Sequence, residues 1–207
     1  MQQGYVLIVE DVPDILKLLD ATLTFKGYKV VTARNGQEAL EAIQRERPAL
    51  VITDIMMPKL DGFGLVHRLR INPKTREIPV IFLTATYVAL EDKAFALNIG
   101  ATRFIEKPVN FEKFLETVNQ LLTSEPQPTP SLMSEAEFYE GYRQRLEKKL
   151  NQKITQITRD ERLLETIPEQ EKASFKASLQ LAINERDEIQ HLLSELQMQI
   201  ESTSKSE

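Results

Sequence analysis

Short apolar runs alternate with amphipathic stretches through the first 123 residues of the chain. Five runs have the length and β-branched composition of buried strands: Tyr5–Val9, Lys29–Ala33, Leu50–Thr53, Pro79–Leu83 and Arg103–Ile105. Between them, apolar residues recur three or four positions apart, which predicts helices over Pro13–Phe25, Gln37–Arg45, Gly62–Ile71, Leu90–Asn98 and Phe111–Leu122. Alternating strands and helices predict a doubly wound parallel α/β domain over residues 1–123.

The pattern changes after residue 123. Residues 124–131 contain three prolines and no large apolar side chain, which predicts an extended interdomain linker. Residues 132–207 are rich in Glu, Lys, Arg, Gln, Leu and Ile, a composition typical of helices. We expect two helices, about 134–166 and 168–201, with Pro168 in the first turn of the second and a disordered tail over 202–207.

Each of these two helices carries an apolar stripe, so the pair is expected to form an antiparallel hairpin or coiled coil. The second stripe has the alternating four- and three-residue steps of a heptad repeat: Phe175, Leu179, Ala182, Arg186, Ile189, Leu193, Leu196 and Ile200. The first has steps that are mostly of four: Phe138, Tyr142, Leu146, Leu150, Ile154, Ile157 and Leu164. One hairpin has little core, so self-association into a homodimer is predicted, although the bundle can be intra- or intermolecular.

Charge and composition restrict the classes of function. The chain has 207 residues, a net charge of −5 and no cysteine, so it has neither disulfides nor thiolate metal sites. The N-terminus has no signal-peptide pattern and no apolar run is long enough to cross a bilayer, so a cytoplasmic location away from membranes is expected. Nucleic acid is not expected as a partner, because neither half has a basic excess.

A basic stretch over 143–153 is the exception to this charge balance. It contains Arg143, Arg145, Lys148, Lys149 and Lys153. Such a stretch can bind nucleic acid or an acidic partner, but acids crowd the rest of the region. A solvated face or interhelix ion pairs is therefore the favoured interpretation.

Chemically active residues follow the ends of three predicted strands. Glu10 and Asp11 follow the first strand, Asp54 follows the third, Thr84 follows the fourth, and Lys107 comes 23 residues later. A single such aspartate is most often a turn or capping residue, but the carboxyl ends of parallel strands meet in one crevice. Three carboxylates there repel one another and need a cation such as Mg²⁺. The pattern therefore indicates a phosphoryl acceptor at Asp54, with Lys107 and Thr84 available to phosphoryl oxygens.

Four segments in this order resemble the receiver (CheY-like) domain of two-component response regulators. They are VEDVPD (9–14), TDIMMPKLDG (53–62), LTA (83–85) and EKP (106–108), and the resemblance covers residues 4–123. It implies a flavodoxin-like, five-stranded parallel sheet of order 2-1-3-4-5. It also implies that the phosphohistidine of a sensor histidine kinase phosphorylates Asp54.

The resemblance assigns further roles at the same site. Asp11, Asp54 and the backbone carbonyl of Met56 would bind Mg²⁺, and Glu10 would act through a bound water. Lys107 would contact the acyl phosphate. The switch residues implied are Thr84, which moves towards the phosphoryl group, and Phe104, whose ring then turns inward. Ala85 is implied as a phosphoryl-contacting residue, with Lys107 and Thr84, and is small enough to let the phosphoryl group pass.

Two of these assignments have alternatives or consequences. Phe104 can instead be a permanently buried core aromatic residue. The resemblance also implies that the positions of Met56 and Thr86 influence how long the phosphoryl group survives. Neither side chain is a base that could position water, which favours a persistent phosphoryl group over rapid autophosphatase activity.

Three hypotheses follow for the whole chain. In the first, phosphorylation of Asp54 acts through residues 90–122 on the helical hairpin, which binds a downstream protein. In the second, the chain is a constitutive coiled-coil scaffold with the receiver as a dimerisation module. In the third, it is a phosphorelay intermediate that uses His191, which the heptad places on the outer face. None includes a separate catalytic domain, because residues 131–207 carry no phosphate loop or nucleophile motif.

Overall fold

The computed structural model describes residues 4–85, 90–124, 133–168 and 172–203. The chain divides into two compact units, Met1–Met133 and Ser134–Glu207. Most of the expected linker (125–131) and the end of the expected tail (204–207) lie outside the described residues.

The first unit alternates strands and helices. Its strands are β1 (Val6–Val9), β2 (Val30–Ala33), β3 (Leu50–Asp54), β4 (Val80–Ala85) and β5 (Arg103–Lys107). Its helices are α1 (Pro13–Phe25), α2 (Gly36–Arg45), α3 (Gly62–Ile71), α4 (Leu90–Asn98) and α5 (Phe111–Thr123).

The five strands form one parallel sheet in the order β2-β1-β3-β4-β5. Strands β1 and β3 are buried along their whole length, whereas the edge strands β2 and β5 are partly exposed. This difference arises because helices cover both faces at the centre of the sheet. The flavodoxin-like fold and strand order expected from the sequence are confirmed.

Each face of the sheet has its own core. On one face, alternate strand residues pack with Leu19 and Leu23 of α1 and Phe114 and Val118 of α5. On the other, the ring of Phe63 lies edge-on to Phe82 at 5.5 Å and to Phe95 at 5.2 Å between centroids. These two layers fix the sheet, and with it the positions at which the strands end.

The second unit consists of two packed helices, α6 (Glu135–Thr166) and α7 (Lys172–Thr203). Ser134 and Glu137 form a capping box at the start of α6. Pro168 precedes α7 outside any helix, and residues 169–171 lie outside the described residues. Helix α7 continues through Ser202 and Thr203, two residues into the tail expected over 202–207. Assigned helix ends commonly differ by one or two residues.

The heptad stripe predicted for α7 is confirmed. Ala182, Ile189 and Leu196 are buried, and the other five members of the stripe are partly buried. Residues at alternate steps of four and three stay on one side of a helix, so this pattern identifies the packed face directly.

The stripe predicted for α6 is wrong at Ile154, which is 43 % exposed, whereas Asp160 is only 7 % exposed. The reason is geometric. Each step of four residues rotates about 40° past a full turn, so four such steps from Phe138 carry a side chain away from the partner helix. The packed face of α6 returns through Lys153 and Ile157 to Asp160.

Arg143 and Lys153 of the basic stretch of α6 form ion pairs within the helical unit. Arg143 lies 2.8 Å from Glu140 and 3.8 Å from Glu147, and Lys153 pairs with Glu185 of α7. These contacts agree with the ion-pair interpretation of this stretch. Among the described residues, no helix combines the length and apolarity needed to span a membrane.

We predict that Ile189 and Ile154 differ sharply in their contribution to the stability of the helical unit. Ile189→Ala should lower the free energy of unfolding of this unit by about 2–4 kcal/mol, because the 2 %-exposed side chain leaves a cavity. Ile154→Ala is the matched control and should cost roughly 0.5 kcal/mol or less, as at other exposed sites. Urea denaturation of the full chain, followed by circular dichroism, gives both values. Equal losses would contradict the assigned packing.

Candidate phosphoacceptor site

Three carboxylates converge where β1 and β3, neighbours in the sheet, end. Glu10 and Asp11 follow β1, and Asp54 is the last residue of β3. One carboxylate oxygen from each lies within 4.8 Å of the other two. Glu10 is 1 % exposed and Asp54 is 8 % exposed, so the repulsion between them is poorly screened by solvent.

Lys107, the last residue of β5, offsets this repulsion. Its Nζ lies 2.7 Å from Oε2 of Glu10 and 2.8 Å from Oδ2 of Asp54. Removal of the Lys107 charge would leave both carboxylates buried and unpaired. Lys107, Glu10 and Asp54 therefore act as one unit.

The ionisation of these groups reflects burial and pairing together. Burial raises the pKa of Glu10, the hydrogen bond from Lys107 opposes the rise, and the charge of Asp54 adds to it. Burial lowers the pKa of Lys107, but hydrogen bonds and charges from Asp54 and Glu10 outweigh it and place this pKa above its ordinary value. Lys107 is therefore a firmly held cation at neutral pH.

Backbone amides fix the orientation of the Asp54 carboxylate. Its Oδ1 accepts a 2.6 Å hydrogen bond from the amide of Ile55 and a longer one, 3.4 Å, from that of Met56. Oδ2 faces Lys107. The two oxygens are thus held by different groups, and the carboxylate cannot rotate freely.

Thr84 lies beside this cluster in β4, one residue beyond the partner of Asp54 in the strand ladder. Its hydroxyl is fully buried and makes no hydrogen bond to the described residues. Such an unpaired buried hydroxyl is uncommon and costs about 1–3 kcal/mol. Ala85 pairs with Lys107 in the ladder, and its side chain lies outside the described residues.

Phe104 is half-buried in β5, so the alternative of a fully buried core aromatic residue does not hold. Its ring centroid lies 6.5 Å from that of Phe82. Nζ of Lys93, on α4, lies 5.8 Å from the Phe104 centroid, at cation–π distance. The sequence did not indicate Lys93, because the register of α4 against β5 depends on tertiary packing.

The two histidines lie outside this cluster. His191 has a side chain that is 73 % exposed, as its heptad position predicts, with Nδ1 3.8 Å from Glu195. His67 lies on α3, and burial lowers its pKa to about 4.

The donor set suits a hard divalent cation. The three clustered groups are all carboxylates, and oxygen ligands are the ones that Mg²⁺ prefers. Asp11 is only partly buried, which leaves a solvent-facing side for metal-bound water. Receiver domains bind Mg²⁺ in an acidic pocket of this kind.

Sequence comparison finds relatives that match the first unit. A protein of Pyropia yezoensis named "Probable transcriptional regulator ycf27" is 38 % identical over 131 residues, which are 63 % of this chain and 52 % of that protein. A 14.6 kDa protein of Leptolyngbya boryana is 39 % identical over 61 % of this chain and 95 % of its own length. The chain thus spans about half the length of the ycf27 relatives. Their name refers to transcription, so the expectation that nucleic acid is not a partner finds no support in them.

Solved structures match the same unit. The receiver domain of a signal transduction histidine kinase from Syntrophus aciditrophicus has a TM-score of 0.55 and 36 % identity, over 64 % of this chain and 98 % of that one. The chemotaxis response regulator CheY4 of Vibrio cholerae has a TM-score of 0.54 and 34 % identity, over 58 % of this chain and all of that one.

The family described as "Response regulator receiver domain" matches residues 6–119, more than half of the chain. This match covers all five strands and the acidic cluster at their ends. The chain therefore belongs to the response regulator receiver family.

Proposed function

We propose that this protein is a response regulator that accepts a phosphoryl group on Asp54 from a sensor histidine kinase and passes the signal to its helical unit. The observation that carries the proposal is the cluster of Glu10, Asp11 and Asp54, in which Glu10 and Asp54 pair with the ammonium group of Lys107. A nucleophilic carboxylate beside a cation and further acids is the arrangement that phosphoryl transfer requires.

The proposed step is displacement at phosphorus. An oxygen of Asp54 attacks, a P–O bond forms, and the P–N bond of the donor phosphohistidine breaks with its electron pair returning to the imidazole. Asp11, Asp54 and the backbone carbonyl of Met56 would hold Mg²⁺, with Glu10 acting through water. The bound ion would neutralise charge on the phosphoryl oxygens.

Lys107 is proposed to change partners in this step. In the unphosphorylated structure, Lys107 pairs with Glu10 and Asp54. Formation of the acyl phosphate, a mixed anhydride, removes the charge on the Asp54 carboxylate and brings new anionic oxygens to the same place. The ammonium group can then pair with one of them, as a charge-assisted hydrogen bond.

The unpaired hydroxyl of Thr84 supports a proposal for how the signal leaves the site. A phosphoryl oxygen on Asp54 would give this buried donor an acceptor, which it does not have among the described residues. Movement of Thr84 would free space for the half-buried ring of Phe104. This change would bias a pre-existing equilibrium in residues 90–122 rather than create a new state.

The helical unit is the proposed output. Its two 32-residue helices pack through an apolar seam and carry no acidic cluster like that of the receiver among the described residues. Association with a second copy into a four-helix bundle, or binding of a downstream protein, would complete its core.

We expect Asp54→Asn to abolish labelling of the full chain by radiolabelled acetyl phosphate in the presence of Mg²⁺. The amide is a poor nucleophile and carries no charge for the metal or Lys107. Asp14→Asn is the control, because Asp14 is an exposed acid in the first turn of α1. Asp14→Asn should be labelled as strongly as the wild type. A chelator should abolish the labelling of Asp14→Asn and of the wild type. Persistent labelling of Asp54→Asn would refute the proposal.

Beryllofluoride with Mg²⁺ should alter the helical unit of the full chain. We expect amide exchange near Ile189 to change roughly 5- to 150-fold, the range of typical allosteric coupling, with or without a change in mass by light scattering. Asp54→Asn should show neither change. If the wild-type helical unit is unaffected while Asp54 is labelled, the chain is a constitutive scaffold instead.

A further inference from the structure

The connection between β3 and α3, residues 55–61, contains Met56, whose carbonyl is a proposed metal ligand. Hydrogen bonds hold both of its ends. The amide of Gly62 donates to the carbonyl of Ile55 at 2.9 Å, and Asp61 caps α3 by accepting from the amide of Gly64 at 2.9 Å. This segment is named the β3–α3 loop below.

A third anchor comes from α2. The amide of Gly36, its first residue, donates to the carbonyl of Leu60 at 2.8 Å. The other amides of this first turn are satisfied differently, because Oδ1 of Asn35 accepts from Gln37 at 3.1 Å and from Glu38 at 3.0 Å. The start of α2 is therefore completed by a carbonyl of the β3–α3 loop.

There is no room for a side chain at Gly36. A Cβ atom there would lie 2.7 Å from the Leu60 carbonyl oxygen and 2.9 Å from Leu60 Cγ. Leu60 is 6 % exposed, so it cannot simply turn out to solvent. A larger residue at position 36 must therefore push the loop backbone and the start of α2 apart.

We propose that Gly36 is a positioning residue for the metal site. The absence of a side chain lets α2 hold the Leu60 carbonyl, and this anchor keeps the β3–α3 loop where Met56 and Asp54 can serve one cation together. This inference rests on the proposed function, because it assigns a metal-binding role to the loop. It adds a residue 18 positions before Asp54 in the sequence, on a different strand connection.

The test compares two glycine-to-alanine variants of the full chain by calorimetric titration with Mg²⁺. Gly36→Ala should raise the dissociation constant about tenfold, as loss of outer-shell support commonly does. Gly4→Ala is the matched control: its Cβ would lie 2.8 Å from Cβ of Ala49, at the opposite end of the sheet. We expect it to destabilise the fold without changing Mg²⁺ affinity. Unchanged affinity in Gly36→Ala, or equal losses in both variants, would overturn the inference.

A labelling assay separates positioning from general damage. For Gly36→Ala, the Mg²⁺ concentration that gives half-maximal labelling by acetyl phosphate should rise about tenfold, and the rate at saturating Mg²⁺ should change far less. Loss of rate with an unchanged Mg²⁺ requirement would contradict the proposed role. Wild-type protein that binds Mg²⁺ but takes no label would refute the proposed function and leave this inference standing.

Hydrogen exchange of the wild-type chain provides a test that needs no variant. Mg²⁺ should slow exchange of the Gly36 amide, because a bound ion would fix the loop carbonyl that this amide contacts. The amide of Ala49, which donates to Tyr5 at 2.9 Å at the far end of the sheet, is the reference and should be unaffected. If both amides respond alike, or neither responds, the link between Gly36 and the metal site is disproved.

Discussion

Mutual repulsion between buried carboxylates is the constraint around which the receiver unit is arranged. Glu10 and Asp54 are almost completely buried with Asp11 beside them, and water cannot screen their charges effectively. Lys107 relieves the repulsion by pairing with two of the three. Because Lys107 balances two of these buried charges, the site is sensitive to any further charge. That sensitivity is the physical basis on which we propose a phosphoryl group at Asp54 acts as a signal.

The parallel sheet makes this crowding possible. Carboxyl ends of β1, β3 and β5 lie at one edge, so residues that are far apart in sequence meet there without a dedicated loop. The cores on both faces hold the strands in register, and backbone amides after β3 orient the Asp54 carboxylate. In the proposed mechanism the buried Thr84 hydroxyl, which makes no hydrogen bond to the described residues, gains a phosphoryl oxygen as its acceptor.

The sequence was sufficient where a short rule connects pattern to structure. Acids after apolar strands predicted the cluster, because parallel strands end together, and heptad steps predicted the packed face of α7. The stripe of α6 failed at Ile154, since repeated steps of four drift around the helix. The cation–π contact of Lys93 with Phe104 and the hydrogen bond of Gly36 with Leu60 join elements whose relative placement depends on tertiary packing. A local sequence pattern therefore cannot predict them.

Borohydride reduction identifies which aspartate accepts the phosphoryl group, because it converts an acyl phosphate on an aspartate into homoserine at the same position. The full chain would be treated with acetyl phosphate and Mg²⁺, reduced, digested and sequenced by mass spectrometry. We expect homoserine at position 54 and none at Asp11 or Asp61. Homoserine at another aspartate, or none in the chain, would contradict Asp54 as the phosphoryl acceptor.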